Sequence, residues 1–139
     1  MISKKVFIDS SLFYAFIDRG DPNHSQAAKI MEQLSRQGSI LYTSLQSVQD
    51  TYSALNDKMG MVLSHEFIQT IMESNIEILY PQRSDLISAF RLIKQNKGKQ
   101  ISLKEALISI LMQKRNIPQI AAFTPWHNLL GSSSYSSNY

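Results

Sequence analysis

The sequence contains no cysteine, which excludes disulfides, thiolate metal sites and a cysteine nucleophile. No apolar run approaches the ~20 residues that span a bilayer. Lys4-Lys5 leads straight into a strand pattern, without the apolar core and cleavage site of a signal peptide, so a cytoplasmic protein with no membrane partner is expected. No G-x-S-x-G elbow occurs, and a Ser/His/Asp triad is unsupported. His24, His65 and His127 are far apart and follow no ligand spacing, so they read as surface or loop residues. Charge is also scarce. Charged residues make up 18% of the chain, with a net charge of +3. That balance permits an anionic partner but lacks the dense basic stripe of a general nucleic-acid binder.

What is present is an ordinary globular composition, 43% hydrophobic over 139 residues, enough for one domain with a real core. Four apolar strand candidates, Val6–Ile8, Ile40–Thr43, Ile76–Leu79 and Gln119–Phe123, alternate with helical patterns. Asp21-Pro22 reads as an N-cap followed by proline at the first helical position. Ala27, Ile30, Met31 and Leu34 then share one face, and Gly38 closes the segment. From Ser44, the stripe Val48, Tyr52, Leu55, Met59 runs to Gly60. Residues 61–74 and 84–95 suit two more helices. Leu103, Ala106, Leu107, Ile110 and Leu111 mark a last one. The alternation predicts an α/β fold, a parallel sheet covered by helices on both faces. The domain spans residues 1–131, and the Ser/Tyr-rich segment 132–139 is expected to be disordered.

Three carboxylates stand out. Val6-Phe7-Ile8-Asp9 is a buried-strand pattern delivering Asp9 to its C-terminal end, where open α/β sheets place their ligand crevices. Asp9 there serves as helix N-cap, as ligand, or as both, since a carboxylate has two oxygens. Asp50 lies about 200° around the helical wheel from Val48 at ~100° per residue, facing solvent or a polar cleft. Glu105 completes Ser102-Leu-Lys-Glu105, a capping-box pattern that also sets a carboxylate near a sheet end.

In order and spacing, these segments resemble the PIN-domain family, particularly the toxin ribonucleases of VapBC toxin–antitoxin pairs. Val6-Phe-Ile-Asp9-Ser-Ser-Leu12 is similar to the family's first strand and first acidic residue. Asp18 to Ala28 is similar to its Asp-x-x-His-x-x-Ala stretch, and Thr43 to Leu55 to the helix bearing its second acidic residue. Ser102-Leu-Lys-Glu105-Ala-Leu-Ile108 resembles the segment bearing the third, and Ile120 to Thr124 the closing strand. The match runs from about residue 5 to Gly131. It departs from the pattern in three places. Asp50 replaces the usual glutamate, Glu105 the usual aspartate, and Thr124 an aspartate that often follows the last strand.

The resemblance implies a three-layer α/β/α sandwich with a central, mostly parallel twisted sheet. It also implies a Mg²⁺- or Mn²⁺-dependent endoribonuclease, the toxin of a pair with a small antitoxin protein. Asp9, Asp50 and Glu105 would be the catalytic and metal-binding residues, and Ser10 or Thr124 would bond a water beside the metal. Lys94, Lys97 and Lys99 would form an RNA-contacting rim, with Trp126 and His127 stacking on a base; a solvated turn and a core tryptophan are the plainer readings of the lysines and Trp126. Family members commonly form homodimers, for which Phe67, Ile68 and Ile71 could serve unless they are core. Two further functions stay open: a degenerate PIN domain that binds RNA or protein without cutting, and an unrelated α/β domain in which Asp9 and Glu105 are only caps.

Overall fold

The computed structural model describes residues 4–135. Strand β1 (Lys5–Ile8) is followed by helices α1 (Ser10–Ile17) and α2 (His24–Arg36), then β2 (Ile40–Ser44), α3 (Leu45–Met59) and α4 (Met61–Glu73). The second half comprises β3 (Glu77–Leu79), α5 (Arg83–Gln95), α6 (Leu103–Lys114), β4 (Gln119–Ala121) and β5 (Ser133–Ser134). The five strands form one sheet in the order β3-β2-β1-β4-β5, and every neighbouring pair is parallel.

The period-2 alternation of β1 divides the core between the two faces of the sheet. Val6 and Ile8 point to one side, packing with Leu12, Leu34, Val48, Leu55 and Phe67 from α1 to α4. Phe7 points to the other, against Ile108, Leu111 and Met112 of α6. Helix α5 lies on α6 through Ala89, Leu92 and Ala106. The result is the expected three-layer α/β/α arrangement.

Sheet order also locates the crevice. The chain leaves β1 toward β2 and β3, then returns to place β4 on the opposite side of β1. The reversal puts a topological switch point at the C-terminal ends of β1 and β4, the usual ligand position in such sheets. Asp9 is the residue there.

Several local features differ from the sequence reading. Helix α2 starts at His24 rather than at Pro22, because Asp21 Oδ1 accepts the Asn23 N–H at 2.8 Å in a turn instead of capping the helix. Leu103 is 49% exposed, so the α6 stripe is narrower than its spacing suggests. Its buried surface is double-sided, toward the sheet and toward α5. Ser133–Ser134 pairs with β4 at the sheet edge. The Tyr135 N–H bonds Ile120 O at 2.8 Å, so the expected disorder of 132–139 does not hold at 133–135; residues 136–139 lie outside the described residues. Phe67 and Ile71 are buried in the core, with the partly buried Ile68 packed against it, as the core reading of these residues expects. Among the described residues, no helix is long and apolar enough to cross a membrane.

Candidate metal and nucleic-acid site

Asp9 leaves β1 in an extended conformation and caps α1. Its Oδ2 accepts from the Ser11 N–H at 3.1 Å and the Ser11 hydroxyl at 2.8 Å. Ser11 Oγ in turn accepts from the Phe123 N–H at 2.9 Å, tying the cap to the segment after β4. The residue is 5% exposed. The two oxygens are thus used differently: Oδ2 holds the helix, and Oδ1 faces the Lys104 ammonium.

Asp50 approaches from α3. Ser44 caps that helix, its Oγ accepting from the Ser47 N–H, and the buried Thr43 hydroxyl donates to Ile8 O at 2.8 Å, bracing β2 on β1. Gln46 Nε2 donates to Asp50 Oδ1 at 3.1 Å, leaving Oδ2 to accept from Lys104.

Between these carboxylates stands Lys104. Its ammonium lies 2.7 Å from Asp50 Oδ2, 2.8 Å from Ser10 Oγ and 3.5 Å from Asp9 Oδ1. Glu105, the next residue, does not join the group. Its backbone N–H bonds Ser102 Oγ at 3.0 Å, as a cap requires. Its carboxylate accepts the His127 N–H at 2.7 Å and contacts His127 Nδ1 at 2.8 and 2.9 Å. Half of the capping box is present; the side chain that would close the other half is engaged by His127 instead.

Asp9, Ser10, Lys104, Glu105, Thr124 and Trp126 line a cleft of about 210 Å³. On the far side of Ser10, a second cleft of about 370 Å³ is lined by Ser11, Tyr14, Asp21 and Asp50. Burial, then the hydrogen bond to Asp18, pushes the Tyr14 phenol up to about 12, so it remains a neutral donor at physiological pH. Thr124 is exposed at the cleft mouth. Trp126 gives its indole N–H to Ser132 O at 3.2 Å and packs against the Phe7 cluster, which fits a structural wall. Lys94 lies over the Phe90 ring at 5.3 Å, and Lys97 and Lys99 are exposed in the turn before α6; none of the three lines the cleft. His24 bonds Ala15 O, and His65 stacks on Tyr52. Only His127, among the histidines, reaches a carboxylate of the site.

Among the described residues, no three His, Cys, Asp or Glu side chains are grouped to hold a metal. Mg²⁺ is commonly held by only one or two carboxylates, with water and substrate phosphate completing its oxygen shell. Asp9 and Asp50 meet that requirement in donor type, since both already direct an oxygen at one shared cation. The present occupant is the Lys104 ammonium. Of the three expected carboxylates, Asp9 and Asp50 share the Lys104 ammonium, and Glu105 lines the cleft with Asp9 while its carboxylate is engaged by His127.

Lys104 escaped the sequence reading, and His127 was expected only as a surface, loop or base-stacking residue. Lys104 had a signal: it is the second residue of α6, where the positive end of the helix dipole disfavours a cation. A lysine in that position needs negative partners from elsewhere. His127 lies in the irregular segment after β4, and no spacing rule connects it to Glu105.

Comparison with known proteins agrees with this architecture. None of the curated proteins compared matches the chain. Among solved structures, it is similar to the crystal structure of Mycobacterium tuberculosis VapC20, a Sarcin-Ricin loop cleaving toxin. The TM-score is 0.76 at 18% identity, covering 86% of this chain and 89% of that one, a likeness of fold. The PIN domain model matches residues 6–123, from the strand before Asp9 to the segment after β4. With the acidic cluster at the switch point and most of its length inside that match, this chain belongs to the PIN-domain family.

Proposed function

We propose that this protein is a divalent-metal-dependent endoribonuclease, the toxin of a toxin–antitoxin pair, acting at the cleft beside Asp9. One observation carries the reading: Asp9 Oδ1 and Asp50 Oδ2, from different elements, are aimed at a single cation position at the sheet's switch point. Asp9 and Asp50 would hold Mg²⁺ or Mn²⁺, with the Ser10 hydroxyl beside them. When bound, such an ion supplies neutralisation of phosphate charge and polarisation of water for attack on the phosphodiester.

The chain's own residues do the rest. Ser11 fixes the Asp9 carboxylate by two bonds to Oδ2, so Oδ1 keeps its aim. Gln46 does the same for Asp50. Glu105, steadied by His127, stands on the cleft wall as an acceptor for water entering beside the phosphate. Thr124 offers a hydroxyl at the mouth. Lys97 and Lys99 attract the RNA backbone from the neighbouring turn without reading sequence.

An antitoxin and a second copy of the chain are partners in the same reading. An apolar groove of about 290 Å³, lined by Phe13, Phe16, Ile17, Met31, Leu63 and Phe67, suits an apolar segment of such a partner. The location would be cytoplasmic.

The test is cleavage of structured and unstructured RNAs with Mg²⁺ or Mn²⁺. Cleavage abolished by EDTA and by Asp9→Asn supports the proposal. Equal cleavage by Asp9→Asn, or cleavage indifferent to EDTA, overturns it. A second reading is favoured by Lys104, whose ammonium already occupies the shared position: a PIN domain that binds RNA without cutting it. RNA binding with no cleavage under any metal would select that one.

A further inference from the structure

The placement of Lys104 has a consequence for metal loading. Its ammonium nitrogen lies 2.7 Å from Asp50 Oδ2 and 2.8 Å from Ser10 Oγ, with hydrogen bonds to both, and 3.5 Å from Asp9 Oδ1 as an ion pair. Those are the oxygens the rest of the fold leaves available. Asp9 Oδ2 is committed to the α1 cap, and Asp50 Oδ1 is held by Gln46. A divalent ion and the ammonium therefore draw on the same atoms, and two cations crowded at one position repel each other.

The charge balance points the same way. Two carboxylates and one ammonium leave one negative charge in excess, whereas two carboxylates balance a dication. Lys104 also sits at the second residue of α6, against the helix dipole. Its cost there is offset by Asp9 and Asp50, which come from other parts of the chain. The side chain is 27% exposed, so it has a route into solvent that does not require α6 to move. Lysine suits this role because it is a single flexible point charge with no planar fork to hold it in place.

From this we infer that Lys104 is a built-in competitor of the metal: it holds the Asp9–Asp50 pair in an inert, half-compensated state and must swing out before a divalent ion can bind. The inference rests on the metal-dependent reading above and adds to it a device that sets the concentration at which the site loads. The residue is a positioning and gating group; it takes no part in bond breaking.

Competition makes a prediction that simple structural support does not. Lys104→Met should lower the thermal stability of the metal-free protein, because two carboxylates then face each other uncompensated. The same variant should bind Mn²⁺ about tenfold or more tightly, tenfold corresponding to ~1.4 kcal/mol. Mn²⁺ binding by the full chain can be followed by EPR of the free ion, with Asp9→Asn/Lys104→Met as the control that loses binding. A lysine that merely supports the site would lose stability and metal affinity together on substitution.

Equal or weaker Mn²⁺ binding by Lys104→Met, with wild type binding, overturns the inference and leaves the metal site standing. No binding by either protein overturns both. Should Lys104→Met fail to fold, NMR of the lysine ammonium groups in wild type decides. Saturating Mg²⁺ should shift the Lys104 resonance toward that of a solvated lysine, and an unmoved resonance with Mg²⁺ bound refutes the competition.

Discussion

Asp85 gives a prediction whose sign and size follow from the structure. It is 3% exposed, yet it carries a charge at the start of α5. Its Oδ2 accepts the Gln82 N–H at 2.8 Å, and its Oδ1 accepts from Lys114 of α6 at 2.8 Å. Burial alone would raise its pKa; the Gln82 bond and Lys114 together outweigh that and hold it below the usual carboxylate value. A carboxylate lowered in the folded state adds stability above its unfolded pKa, ~3.9. That stability disappears as pH falls through the folded value.

The size can be bounded. The cap bond contributes about 1 kcal/mol. The ion pair, whose lysine side chain is 48% exposed, is screened and adds at most ~1 kcal/mol. Asp85→Ala should therefore cost about 2 kcal/mol at pH 7. Asp85→Asn, which keeps an acceptor for the Gln82 N–H, should cost about half that. Urea denaturation of wild type and both variants at pH 7 and pH 3 is the assay. The gap between wild type and Asp85→Asn should shrink on acidification. A gap that stays constant or widens would refute the reasoning, and with it the claim that this pair clamps α6, the helix bearing Lys104 and Glu105, onto α5.

Two further substitutions test the scaffold. Ser11→Ala removes the hydroxyl that joins Asp9 Oδ2 to the Phe123 N–H; Mn²⁺ affinity should fall by roughly 10–100-fold, the usual range for residues that orient a metal ligand, and an unchanged titration would contradict the role assigned to Ser11. Gly60 joins α3 to α4 at φ +89° and ψ 178°, a region essentially reserved for glycine. Gly60→Ala should cost ~1–3 kcal/mol of unfolding free energy, although a Cβ there meets no neighbour within 4 Å, and a neutral result would disprove backbone strain as the cause.

The fold was largely legible in the sequence because its signals are local. The run Val6–Asp9 is apolar and ends on a capping residue; α3 has a serine at one end and a glycine at the other, and the structure places its bounds at Leu45–Met59. What escaped depends on distant partners. Strand β5 is two serines held at an edge by backbone bonds, so it carries no hydrophobic pattern. Leu103 belongs to a helical stripe but lies beyond the reach of α5 and the sheet. In the site, Asp9 could be read as both cap and ligand because the strand before it fixes its position. Asp50 could only be placed off its helix's apolar face. Its partner Lys104 lies 54 residues away, and His127 lies 22 residues from Glu105, distances over which no periodicity operates.

The central claim is that Asp9 and Asp50 form one divalent-cation site. Its most direct measurement is the anomalous scattering of Mn²⁺ in crystals of the wild-type protein grown with the ion in excess. One peak is expected within coordination distance, ~2.1 Å, of an oxygen of each carboxylate or one water removed, with the Lys104 ammonium displaced. A map with no peak there, and Lys104 still bonded to Asp50 at saturating Mn²⁺, would contradict it.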